Sequence, residues 1–241
     1  MIKLENVYFS YKDKIALRDI NIEIKEGESV ALIGPNGCGK STLLKILNGI
    51  LNPEEGKYIF DDDDITEKKL NDTAFSKSFH KRIGFIFQNS NAQLFCSTVY
   101  DEVAFGPRQM GLSEKKVQSR VNDCLELLNI KDLKDREPYN LSGGEKKRVA
   151  IASVLSLNPE VLVLDEPLNE IDPKGKKFIR ELLIKLNESG KTIICSTHEF
   201  GYVKGVFKRG IVFSEDNHII KDDDFEKIFE DIEFLEKNNI L

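Results

Sequence analysis

The chain has 241 residues, 40% of them hydrophobic, and a formal net charge of −6. That length accommodates one large domain, or one with a small subdomain, and the acidic balance excludes a nucleic-acid protein that works through bulk positive charge. No run of 18 apolar residues is present, and Met1-Ile2-Lys3-Leu4-Glu5-Asn6 lacks the basic-then-apolar layout of a signal peptide, so a cytosolic protein is expected.

Residues 2–10 and 17–24 alternate apolar and polar side chains, which predicts antiparallel strands with one wet face. Tyr11 lies between them, either a strand-end aromatic or a ring to stack on a purine. After a turn at Lys25-Glu26-Gly27-Glu28, the apolar run 29–33 leads into Gly34-Pro35-Asn36-Gly37-Cys38-Gly39-Lys40-Ser41-Thr42. A helical pattern then carries Leu43, Leu44, Ile46 and Leu47, stopping near Asn48-Gly49. Strand, G-x-x-x-x-G-K-[ST] and helix together make a phosphate-binding loop. Its glycines let backbone N–H groups curl around phosphate oxygens, and the helix adds the positive end of its dipole. Lys40 is expected to reach the β- and γ-phosphates, and the Ser41 hydroxyl to hold Mg²⁺.

Lys57–Phe60 reads as a short strand and Asp61-Asp62-Asp63-Asp64 as a solvated turn, since the glycine and glutamate of an EF-hand loop are missing. Residues 65–81 are polar without strong periodicity and read as a surface insertion. Ile83–Phe87 is a buried strand ending at Gln88, and residues 98–105 and 113–129 have helical spacing. Leu141-Ser142-Gly143-Gly144-Glu145 opens another helix, with Ser142 either a plain N-cap or part of a second anion site. Val161–Leu164 is a fully apolar strand with Asp165-Glu166 at its C-terminal end, where α/β sheets place ligands. One acid there can hold Mg²⁺ through water and its neighbour can polarise an attacking water. A helix over Pro173–Asn187 and a strand over Thr192–Cys195 precede Ser196-Thr197-His198. Residues 211–220 are expected to form a hairpin, and 222–239 one charged helix with Phe225, Ile228, Phe229, Ile232 and Leu235 on one side. Cysteines 38, 96, 124 and 195 show no C-x-x-C spacing and read as free thiols.

Taken in order, Tyr11, Gly34–Thr42, Gln88, Leu141–Glu145, Val161–Glu166 and His198 resemble the nucleotide-binding subunit of an ATP-binding cassette (ABC) transporter, along nearly the whole chain. The resemblance implies an α/β fold in one domain, 1–241: a P-loop NTPase core with a mainly parallel sheet, an N-terminal antiparallel β subdomain, a helical subdomain at about 89–155 and a short C-terminal helical extension at about 222–241. It implies that Tyr11 stacks on adenine beside Ala16, and that Ser41, Gln88 and Asp165 position Mg²⁺. It makes Glu166 the general base, with His198 on the γ-phosphate and Asp172 in the loop that crosses to a partner. It further implies that Ser142, Gly143 and Gly144 reach the ATP of the opposite subunit in a head-to-tail dimer. Lys40 and Gln88 complete the catalytic set.

Within the family, Phe87-Gln88-Asn89, Gln93-Leu94-Phe95, Ala104-Phe105-Gly106-Pro107 and Lys146–Ala152 look like the ATPases of energy-coupling-factor and cobalt/nickel importers. The expected partners are a second ATPase subunit and an integral membrane subunit met near Gln88–Phe95, with the chain peripheral on the inner face of the cell membrane and no nucleic acid. The alternative is a soluble ABC ATPase of the translation or DNA-maintenance type. The chain departs from the family at Glu145, where many relatives carry Gln, at Leu168–Ile171, where small residues are usual, and at Glu199, where Asp is common.

Overall fold

A computed structural model describes residues 1–240. Strands β1 (Ile2–Tyr11) and β2 (Lys14–Ile24) form an antiparallel hairpin across Lys12-Asp13, so the second strand starts three residues before the alternating pattern does. Strand β3 (Ser29–Ile33) feeds the glycine loop, and helix α1 (Lys40–Leu47) follows. Strands β4 (Glu55–Phe60) and β5 (Asp63–Asp64) then join the hairpin in a four-stranded antiparallel sheet of order β2-β1-β4-β5.

The surface insertion expected at 65–81 is helical, with α2 (Glu67–Leu70) and α3 (Thr73–Arg82). Thr66 and Asp72 cap the two helices, accepting from the N–H groups of Lys69 and Phe75. One residue explains why periodicity did not reveal α3: only Phe79 is buried along it. Its ring meets Tyr58 and Phe60 edge-on at centroid distances of 6.4 and 5.7 Å. A single anchor is enough because α3 needs no wider apolar stripe to lie against β4.

Strand β6 (Ile83–Ile86) is followed by helices α4 (Val99–Gln109), α5 (Glu114–Leu127) and α6 (Gly143–Leu155), then β7 (Val161–Asp165). Helix α7 (Pro173–Glu188), strand β8 (Thr192–Ser196), the short α8 (Phe200–Val203) and the hairpin β9 (Arg209–Phe213) and β10 (Ile219–Asp224) complete the core. The second sheet has the order β10-β9-β3-β8-β7-β6 and is parallel except for β10.

This parallel sheet is buried on both faces, which is why its strands read as unbroken apolar runs. Its period-two pleat sorts the side chains. Val30, Leu32, Val161, Val163 and Ile194 face α1 and the antiparallel sheet. Ala31, Ile33, Leu162, Leu164, Ile193 and Cys195 face the helical block of α4, α5, α6 and α7. The two cores together hold the C-terminal ends of β3, β7 and β8 side by side.

The single C-terminal helix expected over 222–239 is also corrected. Residues 222–224 extend β10, and the rest forms α9 (Phe225–Glu230) and α10 (Ile232–Lys237). Asp222 stays in the strand because both its oxygens accept from Arg209 on β9, each at 2.7 Å. Asp224 and Asp231 then cap the two short helices and divide them. Phe225, Ile228 and Leu235 are buried as the pattern predicts, whereas Ile232 is half exposed.

Candidate active site

The phosphate loop begins where β3 leaves the sheet. Gly39 ends it with φ of 101°, in the left-handed region, as the N-cap of α1. A Cβ there would stand 2.2 Å from the Ala16 carbonyl oxygen, so glycine alone lets the loop sit against β2. This gives Ala16 a definite place, as the backbone wall behind Gly39. Replacing Gly39 with alanine is expected to weaken nucleotide binding at least tenfold, with strain of about 1–3 kcal/mol lowering the melting temperature by roughly 2–10 °C. Fluorescence titration and calorimetry would read both; an unchanged affinity and melting point would mean that the loop tolerates a side chain.

Lys40 is buried, with Nζ donating to the carbonyls of Gly34 (2.7 Å) and Pro35 (3.0 Å). Its ammonium is thus already anchored over the loop by that loop's own carbonyls. Cys38 packs beneath at 3.7 Å, and burial pushes its thiol up more than Lys40 lowers it, so the side chain is filler rather than a nucleophile.

Parallel pairing of β7 with β8 sets Asp165 opposite Ser196. Asp165 Oδ1 accepts from Ser196 Oγ at 2.7 Å and from Ser41 Oγ at 3.0 Å, which ties the phosphate loop's hydroxyl to the acid at the end of β7. Glu166 follows with φ of 46°, a left-handed conformation that a non-glycine residue adopts only when its surroundings impose it. Here its N–H donates to Ser196 Oγ (3.0 Å) and to the Ser196 carbonyl (3.2 Å). The turn re-aims the carboxylate toward His198, whose N–H donates to Oε2 at 3.3 Å and whose Nε2 lies 3.3 Å from Oε1. Glu166 is only 6% exposed, and burial raises its pKa. Burial, aided by the charge of Lys40, lowers that of His198.

These residues share one cleft of about 310 Å³, lined by Tyr11, Ala16, Asn36, Gly37, Gly39, Lys40, Ser41, Thr42, Gln88, Glu166 and His198. Such a volume is in the range of small-molecule sites. Tyr11 is 45% exposed at its rim, with its ring edge-on to Phe9 at a centroid distance of 5.0 Å. Asp165 sits just behind the wall, reached through Ser41.

The remaining predicted residues lie elsewhere. Ser142, Gly143, Gly144 and Asp172 line a second concavity with Arg148 and Phe178. Ser142 is an N-cap with a full capping box: its Oγ accepts from the Glu145 N–H at 3.4 Å, and its own N–H donates to Glu145 Oε2 at 2.8 Å. Glu145 therefore performs the box role that a glutamine would. Asp172 caps α7 through the Gly175 N–H, and the bulky Leu168 and Ile171 before it are buried. Glu199 forms an ion pair with Lys176 at 2.6 Å. Sequence reasoning missed two residues, Ser196 and Lys147. A hydroxyl closing the apolar strand Thr192–Cys195 was the available signal for the first. For Lys147, the run Lys146–Ala152 carries a likeness to importer ATPases but nothing that marks this lysine among its neighbours.

Residues 17–169 match the protein-family model for the ABC transporter. The chain belongs to the ABC transporter family. A putative ABC transporter ATP-binding protein of Clostridium acetobutylicum is 65% identical over the full length of both chains. The nickel import ATP-binding protein LarO of Lactiplantibacillus plantarum is 48% identical over 92% of each. Among solved structures, cbiO1 of Clostridium perfringens, part of the ABC transporter complex cbiONQ, superposes with a TM-score of 0.84 at 38% identity, covering 99% of this chain and 94% of that one. A dimeric ATP-binding cassette in a post-hydrolysis state bound to ADP and phosphate gives 0.84 at 33% identity, covering 93% and 98%. This ABC protein is accordingly a transport-coupled ATPase that binds ATP, and such ATPases work as dimers with membrane transporter components. Among its described residues no helix is long and apolar enough to cross a membrane.

Proposed function

We propose that this ATPase powers import of a transition-metal ion, nickel or cobalt, or of a vitamin-like micronutrient, within an energy-coupling-factor type complex. The observation that carries this is the 48% identity to a nickel import ATPase across nearly all of both chains, with the likeness to a cbiONQ subunit in support.

In this reading the cleft holds one ATP. Tyr11 offers its exposed ring to adenine, the N–H groups of residues 36–42 bind the phosphates, and Lys40 exchanges two carbonyl partners for β- and γ-phosphate oxygens. The neighbouring hydroxyl and carboxylate of Ser41 and Asp165, with the amide of Gln88 on the same cleft, are an oxygen donor set that would hold Mg²⁺. When bound, Mg²⁺ neutralises charge on the phosphates. Glu166 takes the proton of the attacking water, and His198 orients Glu166 while contacting the γ-phosphate.

Ser142, Gly143, Gly144 and Asp172 lie in a different concavity, which supports a head-to-tail dimer where they close over the partner's ATP. The membrane subunit meets the face after Gln88, where Phe95 is 67% exposed and stacks edge-on with Phe105 at 4.9 Å. The chain then works peripherally on the inner face of the membrane. Reconstitution with its membrane partners in liposomes tests the cargo. ATP-dependent accumulation of radioactive nickel or cobalt, or of a vitamin, abolished by Glu166→Gln, is expected; ATP hydrolysis without accumulation of any of these would overturn it.

A further inference from the structure

Lys147 lies on α6, five residues after Ser142, and is only 3% exposed. Its Nζ donates to the carbonyls of Phe87 (3.1 Å) and Gln88 (2.7 Å). Burying an ammonium is unfavourable, and it pushes this one down to about 8 despite the charges of Glu170 and Asp165. Two carbonyl contacts compensate the charge and fix where the Gln88 loop lies.

Lys147 does not act alone. Gln93 accepts the Phe87 N–H at 3.1 Å and donates to the Ala150 carbonyl of α6 at 3.2 Å. Lys146 Nζ donates to Asn91 Oδ1 at 2.8 Å. The segment 87–93 is thus fastened to α6 at several points. The N-terminus of α6 carries Ser142, Gly143 and Gly144 in the second concavity, while Gln88 lines the ATP cleft.

We propose that Lys147 is a positioning residue that makes Gln88 move with α6, so that a partner engaging the Ser142 end sets Gln88 in this chain's own cleft. The inference rests on the reading of Ser142 as partner-facing. It gives the two half-sites of one subunit a mechanical link whose buried fastening is Lys147, beside the ties made by Gln93 and Lys146. Lys147 does not line the ATP cleft; it acts through the backbone of Gln88.

The test is a double-mutant cycle of Lys147→Met and Gln88→Ala. Methionine keeps length and packing but leaves two carbonyls without a donor. Lys147→Met is expected to lower kcat about tenfold, the equivalent of one lost hydrogen bond, and to bring the Hill coefficient for ATP toward 1. ATP affinity of the monomer should change less than twofold, because Tyr11 and Lys40 lie on other elements. Lys147→Arg should recover a large part of kcat. If Lys147 acts through Gln88, adding Lys147→Met to Gln88→Ala causes no further loss. Additive losses, or an unchanged kcat, would overturn the proposal. Should Lys147→Met fail to fold, Lys146→Ala, an exposed tie to the same loop, replaces it in the cycle with an expected two- to threefold fall and the same non-additivity. A wild-type chain that binds ATP without hydrolysing it would instead count against the functional reading itself.

Discussion

Glu166→Gln is expected to lower kcat by about 10²- to 10⁴-fold, the usual contribution of a positioned general base. The substitution is isosteric, and the backbone turn that aims the side chain rests on N–H contacts to Ser196 that a glutamine keeps. It also removes a negative charge from the side of the cleft where the γ-phosphate sits, so ATP affinity should hold or increase. The variant should therefore accumulate as an ATP-bound dimer, seen as a doubled mass by gel filtration with light scattering. A variant that stays monomeric with ATP, or that keeps more than a tenth of the wild-type rate, would remove Glu166 from its assigned role.

Ser142→Arg separates the two half-sites. The guanidinium would fill the concavity shared with Asp172 and Phe178 and abolish the capping box, at a cost of about 1 kcal/mol to α6. Hydrolysis should fall at least 10²- to 10³-fold, as when an oriented donor set for a developing anion is lost. ATP should still bind the monomer with near-normal affinity, since no element of the Tyr11 and Lys40 cleft is touched. Isothermal titration of the monomer and a steady-state phosphate-release assay give the two readouts. Loss of ATP binding in this variant would refute a role across the dimer interface.

The parts of the site legible in the sequence are those built from contiguous residues. The loop Gly34–Thr42, the pair Asp165-Glu166 and the capped Ser142-Gly143-Gly144 each carry a mechanism within a few positions, because the required backbone geometry is local. Ser196 shows in the sequence only as a hydroxyl closing an apolar strand and Lys147 only as one lysine of several, since their roles exist only once strands are in register and α6 docks on the Gln88 loop. The same distinction runs through the fold. The strands of the buried sheet announced themselves as apolar runs. The acidic strand end at Asp222 did not, because it depends on Arg209, a partner 13 residues away across a hairpin. Helix α3 was hidden for the opposite reason: its one buried side chain is too few to make a period.

The position of β3 also governs when the protein can become competent. This strand, which carries the phosphate loop, pairs only with β8 and β9 in its sheet, both from the last quarter of the chain. On a ribosome adding about 5–20 residues per second, its neighbours emerge on the order of ten seconds or more after it does. Until then the loop has no sheet to hang from, although the β1–β2 hairpin and the helical block can already collapse. Contacts of such long range make for slow folding and leave an apolar edge open while they wait. A nascent chain released before Thr192 should therefore be prone to aggregation and unable to hold ATP, which makes the β8–β9 region the checkpoint at which synthesis yields an enzyme.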